Sequence, residues 1–209
     1  MTRGGIRIRR GGDGRDGYSL PEILAVLLFF ALLATSGAGG IRASLANARM
    51  SAATGRLTVL IRWMRTEALR RGTHVGIVFA PDPGGNLRFE LRRDGDGDGI
   101  RSADVRAGID PRFGGPFDLG REFPGVRFGI LPRGRIPAIP PAGGALRNRD
   151  DPIQFGPADL ISFSPRGQSS SGTLYLTDGD RRMTALVIYG PTIRLRVWKW
   201  RDAAGRWER

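Results

Sequence analysis

A continuous apolar run near the start of the sequence constrains the fold of this chain more than any other feature. Every residue from 23 to 34 is apolar, and small residues extend the run as far as Ile41. As an α-helix, residues 20–41 would be roughly 30 Å long, which matches the hydrocarbon thickness of a lipid bilayer. The run is therefore predicted to be a membrane-spanning helix.

The residues on either side of the run indicate its orientation. Residues 1–17 are polar and contain five arginines and two aspartates, a net charge of +3. A secretory signal peptide would end in an A-x-A-like cleavage site, whereas here the apolar run leads directly into a helical pattern. A retained span with a basic leader places the N-terminus in the cytoplasm and the rest of the chain outside it.

One carboxylate stands at the beginning of the predicted span. An ionised acid at membrane depth is unfavourable by several kcal/mol unless it is paired, so Glu22 is a candidate functional residue. A simpler interpretation places Glu22 in the headgroup region, where Ser19 and Glu22 form an S-x-x-E capping box that starts the helix. Both interpretations are compatible with the local sequence.

Residues 17–22 read GYSLPE and stand between the basic leader and the apolar run. This pattern resembles the cleavage and methylation site of type IV prepilins and type II secretion pseudopilins, with Tyr18 in place of the usual phenylalanine. The resemblance implies that a prepilin peptidase cuts after Gly17 and methylates the new amino terminus at Tyr18. It also implies that Glu22 neutralises the terminal amine of a neighbouring subunit during assembly, which would remove the desolvation penalty of both charges.

The second half of the predicted helix is amphipathic. Five apolar residues share one face, and arginines lie mostly off it; the five are Leu57, Leu60, Ile61, Met64 and Ala68. Together with the span, this pattern predicts one helix of about fifty residues, from about Ser19 to Arg71. Strand patterns follow at residues 74–80, 87–92, 126–131, 160–164, 173–177, 183–189 and 193–200. They predict an α+β fold with an antiparallel sheet packed on the second half of the helix.

The composition divides the chain into three parts. Residues 1–17 are predicted to be a leader peptide, residues 18–50 a transmembrane and assembly helix, and residues 51–209 an α+β domain. Eight of the fourteen prolines lie between residues 111 and 152. This stretch, at about 111–152, is therefore predicted to be a loop-rich insertion of low regular content.

The order of these parts is similar to that of the GspH/FimT-type minor pseudopilins. The similarity covers residues 18 to about 198 and rests on PGV at 124–126, ISFSPRG at 161–167, GTLYL at 172–176 and a closing arginine-rich strand. It implies a pilin-like fold and a structural subunit of a type II secretion pseudopilus or a type IV pilus. The subunit would lie in the inner membrane with its C-terminal domain in the periplasm, and its partners would be other pseudopilins and the prepilin peptidase. The proline-rich insertion and residues 201–209 depart from the family pattern.

An acidic repeat, DGDGDG, occupies residues 94–99. Its alternating carboxylates resemble the first half of a calcium-binding loop, in which glycine permits the sharp turn. The second half does not fit an EF-hand, because the acid that should close the loop is one residue short. One hypothesis is a shortened calcium loop that uses Asp94, Asp96, Asp98 and Asp104. The other is a solvated acidic turn between two strands.

Arginine and tryptophan alternate with aliphatic residues along the last predicted strand. Arg194, Arg196, Trp198 and Trp200 have the same parity, so they are predicted to share one face while the aliphatic residues face the core. With Lys199, they would form a phosphate-binding and base-stacking surface for DNA, in keeping with the net charge of +13 of the whole chain. The family resemblance agrees, since FimT-type members bind DNA during natural transformation through a C-terminal arginine motif. The alternatives are a solvated arginine face or tryptophans that cover the sheet.

The sequence offers little for catalysis. The chain has no cysteine and a single histidine, His74, which excludes disulfides, thiolate or His-rich metal sites and a cysteine nucleophile. No pair of acids has a catalytic spacing, no phosphate-binding loop is present, and His74 is interpreted as structural. We therefore predict a structural assembly subunit rather than an enzyme, with a DNA-binding minor pilin as the alternative.

Overall fold

The computed structural model describes residues 18–209 except residue 193, with the backbone alone for residues 33–39. The predicted leader, including Gly17, lies outside the described residues. The chain divides into two compact units, Met1–Ala43 and Ser44–Arg209. The described part of the first unit is almost entirely helix.

One long helix, α1, runs from Leu20 to Arg71. At its start, the backbone N–H of Glu22 donates to the carbonyl of Ser19 at 3.0 Å. At its end, Gly72 has a φ of 66°, and its N–H donates to the carbonyl of Ala68 at 3.0 Å. A glycine in this left-handed conformation is a common helix terminator, since a Cβ would be strained there. The helix predicted for residues 19–71 is confirmed.

The sequence also predicts a membrane span in the first half of α1. Among the described residues, however, no helix has both the length and the apolar character needed to cross a membrane.

The second unit contains two antiparallel sheets. Its strands are β1 Val75–Pro81, β2 Leu87–Arg93, β3 Arg112–Phe117, β4 Arg127–Phe128, β5 Ile153–Gln154, β6 Leu160–Phe163, β7 Gly172–Thr177, β8 Met183–Tyr189, β9 Arg194–Arg201 and β10 Arg206–Glu208. One sheet has the order β3-β2-β1-β6; the other has the order β10-β9-β8-β7-β4, and β5 also pairs with β7. Two short helices, α2 Ser102–Ala107 and α3 Leu119–Glu122, complete the unit together with a 3-10 turn at Asp202–Ala204. The predicted α+β class with antiparallel pairing is confirmed.

The main core lies between the second half of α1 and the two sheets. All five residues of the predicted apolar face are at most 5% exposed. They form one cluster with residues of both sheets, such as Ile77 of β1 and Leu186 of β8. Because the apolar face repeats with helical periodicity, it covers both sheets with one side of the helix. The predicted packing of sheet on helix is confirmed.

A second apolar cluster lies on the other face of the sheet that contains β9. We call it the tryptophan cluster; its buried members are Leu131, Ile136, Tyr175, Met183, Ala185, Trp198, Trp200 and Trp207. Neighbouring residues of one strand belong to different clusters, as Tyr175 and Leu176 of β7 do. This alternation follows from the pleat of a strand, and here both faces of the sheet are covered.

The proline-rich stretch is more regular than predicted. Its first part contains β3, α3 and β4, and residues 129–152 form its one long segment without a named strand or helix. Leu131 and Ile136 of this later part are buried in the tryptophan cluster. The guanidinium of Arg149 donates to the carbonyls of Leu131, Arg133 and Gly134. Residues 129–152 therefore form a layer that is held on the sheet by apolar packing and by the hydrogen bonds of Arg149. The prediction of a loop-rich insertion did not include this layer.

Candidate assembly and binding surfaces

The beginning of α1 presents an uncovered apolar surface. Its large apolar side chains between residues 20 and 32 are 48–75% exposed; they are Leu20, Ile23, Leu24, Val26, Leu27, Leu28, Phe29, Phe30 and Leu32. Monomeric soluble proteins rarely expose a contiguous apolar patch of this extent, and such patches mark contacts with membranes or with other proteins. This stretch is the first candidate functional surface.

Two of the residues predicted for processing and assembly, Tyr18 and Glu22, lie at the start of this surface. Tyr18 lies two residues before the first residue of α1 and is 79% exposed. Glu22 is exposed and is the acidic residue of the first turn. A carboxylate at this position also interacts favourably with the helix dipole, so the capping interpretation and the assembly interpretation both remain open.

Three of the four predicted metal ligands come together in the turn after β2. Carboxylate oxygens of Asp94, Asp96 and Asp98 lie within 4.8 Å of one another. Asp104 lies in α2 and does not belong to this group. Asp94 is buried, whereas Asp96 and Asp98 are exposed.

The contacts of Asp94 favour a structural role for its side chain. One carboxylate oxygen accepts the N–H of Gly97 at 2.7 Å and the other accepts the N–H of Gly99 at 3.0 Å. The Nδ1 atom of His74 lies 3.3 Å from Asp94 Oδ2. Burial raises the pKa of Asp94, but these backbone hydrogen bonds and His74 outweigh it, so the pKa is lowered. Asp94 thus closes the turn, and His74 has a partner that its sequence neighbourhood did not reveal.

The carboxylates of Asp98 and Asp104 have fewer favourable interactions than that of Asp94. Desolvation raises the pKa of Asp98; the attraction of Arg101 opposes this, and repulsion from Asp96 and Asp104 adds to it. Asp104 Oδ2 is buried without a hydrogen-bond partner among the described residues. A bound cation would relieve this repulsion, and calcium binding remains a prediction.

The predicted parity of β9 agrees with its register. Arg194, Arg196 and Trp198 stand opposite Tyr189, Val187 and Ala185 of β8, respectively, and Trp200 has the same parity. Trp198 and Trp200, however, are only 8% and 9% exposed and belong to the tryptophan cluster. The prediction of exposed indoles available for base stacking is wrong, and the alternative of tryptophans that cover the sheet is confirmed.

The C-terminal hairpin, which consists of β9 and β10, covers these indoles together with residues 129–152. Trp207 of β10 stands opposite Trp200 in the strand register, with 5.5 Å between the ring centroids. Its Nε1 donates to the carbonyl of Pro137 at 2.9 Å. The guanidinium of Arg209 lies 4.9 Å from the ring centroid of Trp198.

The cations predicted to bind DNA do not all lie together. Lys199 stands opposite Thr184 of β8, and because side chains alternate it lies on the face opposite the arginines. Arg194 is exposed, and the guanidinium of Arg196 lies 5.3 Å from the ring centroid of Tyr189. The predicted surface is thereby reduced to Arg194 and Arg196.

A large cleft is a feature that the sequence did not reveal. It encloses about 990 Å³, with Leu119, Phe128 and Ile153 in its lining. Its charged residues include Asp151 and Asp159, and burial followed by repulsion from Asp151 raises the pKa of Asp159. The lining comes from segments far apart in the sequence, so no local pattern could have identified it.

Comparison with known proteins identifies a family that the chain matches. A family model described as type II transport protein GspH matches residues 53–192, about two thirds of the chain. The matched region contains most of the second half of α1 and the strands from β1 to β8, and it ends before β9. No curated protein and no solved structure matches the chain.

Proposed function

Because this chain belongs to the GspH family of type II transport proteins, we propose that it is a minor pseudopilin, a structural subunit of a type II secretion pseudopilus or a type IV pilus. The family is one of structural pseudopilins rather than enzymes, and we propose no catalytic role. The observation that carries the proposal is the uncovered apolar surface at residues 20–32, in a chain whose second unit has its own closed core. Such a surface requires a partner.

We propose that the chain is processed before assembly. A prepilin peptidase would cut after Gly17 and methylate the amine of Tyr18, leaving residues 18–209. The resemblance of residues 17–22 to prepilin sites supports this step, as does the exposure of Tyr18. Mass spectrometry of the membrane fraction should then find a chain that begins at methylated Tyr18. An intact Met1 terminus in cells that contain the peptidase would contradict processing.

We further propose that residues 18–50 anchor the processed chain in the inner membrane and later contact other pseudopilins in the filament. The N-terminus would be cytoplasmic and residues 51–209 periplasmic, as the basic leader suggests. In apolar surroundings, the Glu22 carboxylate and the Tyr18 amine of a neighbouring subunit would each remove the desolvation penalty of the other.

The role of Glu22 is tested by Glu22→Gln, which keeps the size of the side chain and removes its charge. We expect the variant to be processed and to remain in the membrane fraction, with reduced incorporation into filaments sheared from cells. The control is Glu122→Gln, because Glu122 is an exposed acid of α3 whose ion pair with Arg56 is also exposed. Equal incorporation of both variants would reduce Glu22 to a helix cap.

DNA binding remains the second hypothesis, with a smaller surface than the sequence predicts. It now rests on Arg194 and Arg196, which lie on one face of β9. Neither guanidinium forms an ion pair within the described part of the chain. Two unpaired arginines on adjacent positions of one face can contact phosphates without any base stacking on tryptophan.

A further inference from the structure

The sheet edge formed by β9 is open along part of its length. On one side, β9 pairs with β8 from Arg194 to Lys199. On the other side, β10 pairs only with residues 199–201 of β9. In the part of the chain that the structure describes, no other strand pairs with β9. Among the described residues, therefore, 194–198 have a strand neighbour on one side only.

The hydrogen bonds of β7 show which residues of this sheet direct their backbone N–H and C=O groups to one side of the strand and which to the other. The N–H of Tyr175 donates to the carbonyl of Pro152 at 2.9 Å, and its carbonyl accepts the N–H of Gly129 at 3.1 Å. Both backbone groups of Tyr175 thus point away from β8. Because these directions alternate along a strand, Leu174 and Leu176 direct their backbone groups toward β8.

The same alternation identifies the free groups of β9. The β8 partner of Leu174 is Leu186, so Leu186 bonds to β7 and its neighbour Val187 bonds to Arg196 of β9. Leu195 and Val197, on either side of Arg196, then direct their N–H and C=O groups to the open side. These four backbone groups are available to a further strand, as in the exposed edges that other proteins use to capture peptides.

The side chains beside this edge differ between the two faces of the sheet. Leu195 is half-buried and packs against the main core, and Val197 has the same parity. Arg194 and Arg196 lie on the other face, where Arg196 stacks beside Tyr189. An added strand would place alternate side chains beside an aliphatic face and beside an arginine face.

We propose that the open edge of β9 binds an extended segment of another polypeptide, in which acidic residues alternate with apolar residues. Its backbone would bond to Leu195 and Val197, its acidic side chains would pair with Arg194 and Arg196, and its apolar side chains would extend the aliphatic face. This interaction goes beyond the proposed pseudopilin role, which uses α1.

The charges on β9 disfavour a second copy of the same edge as the partner. Residues directly opposite each other in a strand pair lie on the same face of the sheet. Antiparallel pairing of two β9 edges would therefore set Arg194 or Arg196 of one copy against an arginine of the other. Like charges in this arrangement are destabilising, so the edge discriminates in favour of an acidic segment from a different chain.

The experiment measures peptide binding to the full chain in detergent by fluorescence anisotropy. The probe is an end-blocked, labelled peptide of roughly eight residues in which glutamate and valine alternate. We expect saturable binding, and binding at least about tenfold weaker for the matching lysine and valine peptide. Arg196→Glu leaves Arg194 facing the new glutamate, so it should abolish this preference between the two peptides.

A backbone variant separates strand addition from simple charge attraction. Val197→Pro removes the outward N–H and no bond to β8, and proline is tolerated at such edge positions. We expect it to weaken binding of the acidic peptide at least about tenfold, whereas the control Val197→Thr keeps the N–H and should bind within about twofold of the parent. Circular dichroism checks that each variant is folded, and if Val197→Pro does not fold, the peptide preference of Arg196→Glu decides.

Three results would overturn the proposal. The first is no binding of the acidic peptide to the parent chain. The second is equal binding by folded Val197→Pro and Val197→Thr. The third is binding of single-stranded DNA that requires Arg196, without any peptide preference, which would assign the arginines to phosphates. The assay involves neither processing nor filaments, so an absence of peptide binding would leave the pseudopilin role intact. Likewise, a failure of processing or filament incorporation would leave the peptide-binding proposal intact.

Discussion

Removal of the Trp207 side chain tests whether the tryptophan cluster is an integral part of the folded second unit. Trp207 is 7% exposed, and its ring centroid lies 5.5 Å from that of Trp200 and 6.3 Å from that of Tyr175. Its Nε1 also donates to the carbonyl of Pro137. The variant Trp207→Ala therefore removes apolar contacts to two rings together with one hydrogen bond to residues 129–152.

The expected destabilisation follows from these contacts. Truncation of a buried aromatic ring to alanine costs ~3–5 kcal/mol of unfolding free energy. Trp207→Phe keeps most of the apolar surface but leaves the Pro137 carbonyl without its donor, which costs ~1–2 kcal/mol. For a unit of this size, 1 kcal/mol lowers the melting temperature by about 2–4 °C, so Trp207→Ala should lower it by roughly 6–20 °C.

Thermal unfolding of the full chain, followed by near-ultraviolet and far-ultraviolet circular dichroism, measures this effect. The matched control is Trp63→Ala, because Trp63 lies on α1 and is 43% exposed. We expect the control to cost less than about half as much, since a partly exposed ring loses less buried area. If Trp207→Ala destabilises the chain no more than Trp63→Ala does, the C-terminal hairpin is not an integral part of the folded unit.

Three further predictions concern pH, calcium and DNA. Hydrogen bonds from Arg70 and Arg71 lower the pKa of buried Glu67 from 4.5 to about 2. The stabilising effect of the Glu67 carboxylate is therefore complete above its unfolded pKa and is lost as the pH falls toward 2. A measurement of the unfolding free energy against pH should show this loss in the parent chain and not in Glu67→Gln. If the acidic turn binds calcium, about millimolar calcium should raise the melting temperature and Asp96→Ala should abolish the rise; an unchanged melting temperature would leave a solvated turn. If β9 binds DNA, Arg196→Ala should lower the salt dependence of binding by roughly one phosphate contact and Lys199→Ala should not, whereas no binding at low salt would exclude DNA.

Local patterns were sufficient to predict the helix and most of the strands. The apolar face of α1 repeats with the period of a helix, and the glycine after Arg71 ends the helix. Both features depend only on residues that are close together in the sequence, so a local pattern can predict them. Each of the seven predicted strand segments contains a strand. The predicted packing of this helix face on a sheet also follows, because an apolar stripe must be buried against another element.

The strands that the sequence missed depend on distant partners. The segment that forms β3 contains two glycines and a proline and pairs with β2 through register shifts. The strands β5 and β10 have only two and three residues, respectively. Weak local preference is overridden here by pairing with residues far away in the sequence.

The candidate surfaces also combine features that the local sequence predicts with features that only contacts between distant segments decide. The sequence determined that Arg194, Arg196, Trp198 and Trp200 share a face and that Lys199 does not have their parity, because side chains alternate along any strand. Tertiary structure alone decided that residues 129–152 and β10 cover the tryptophan end of this face, while the arginine end stays beside an open edge. A period of two in the sequence fixes which side chains are neighbours, but the burial of each face depends on contacts between segments that no local pattern connects.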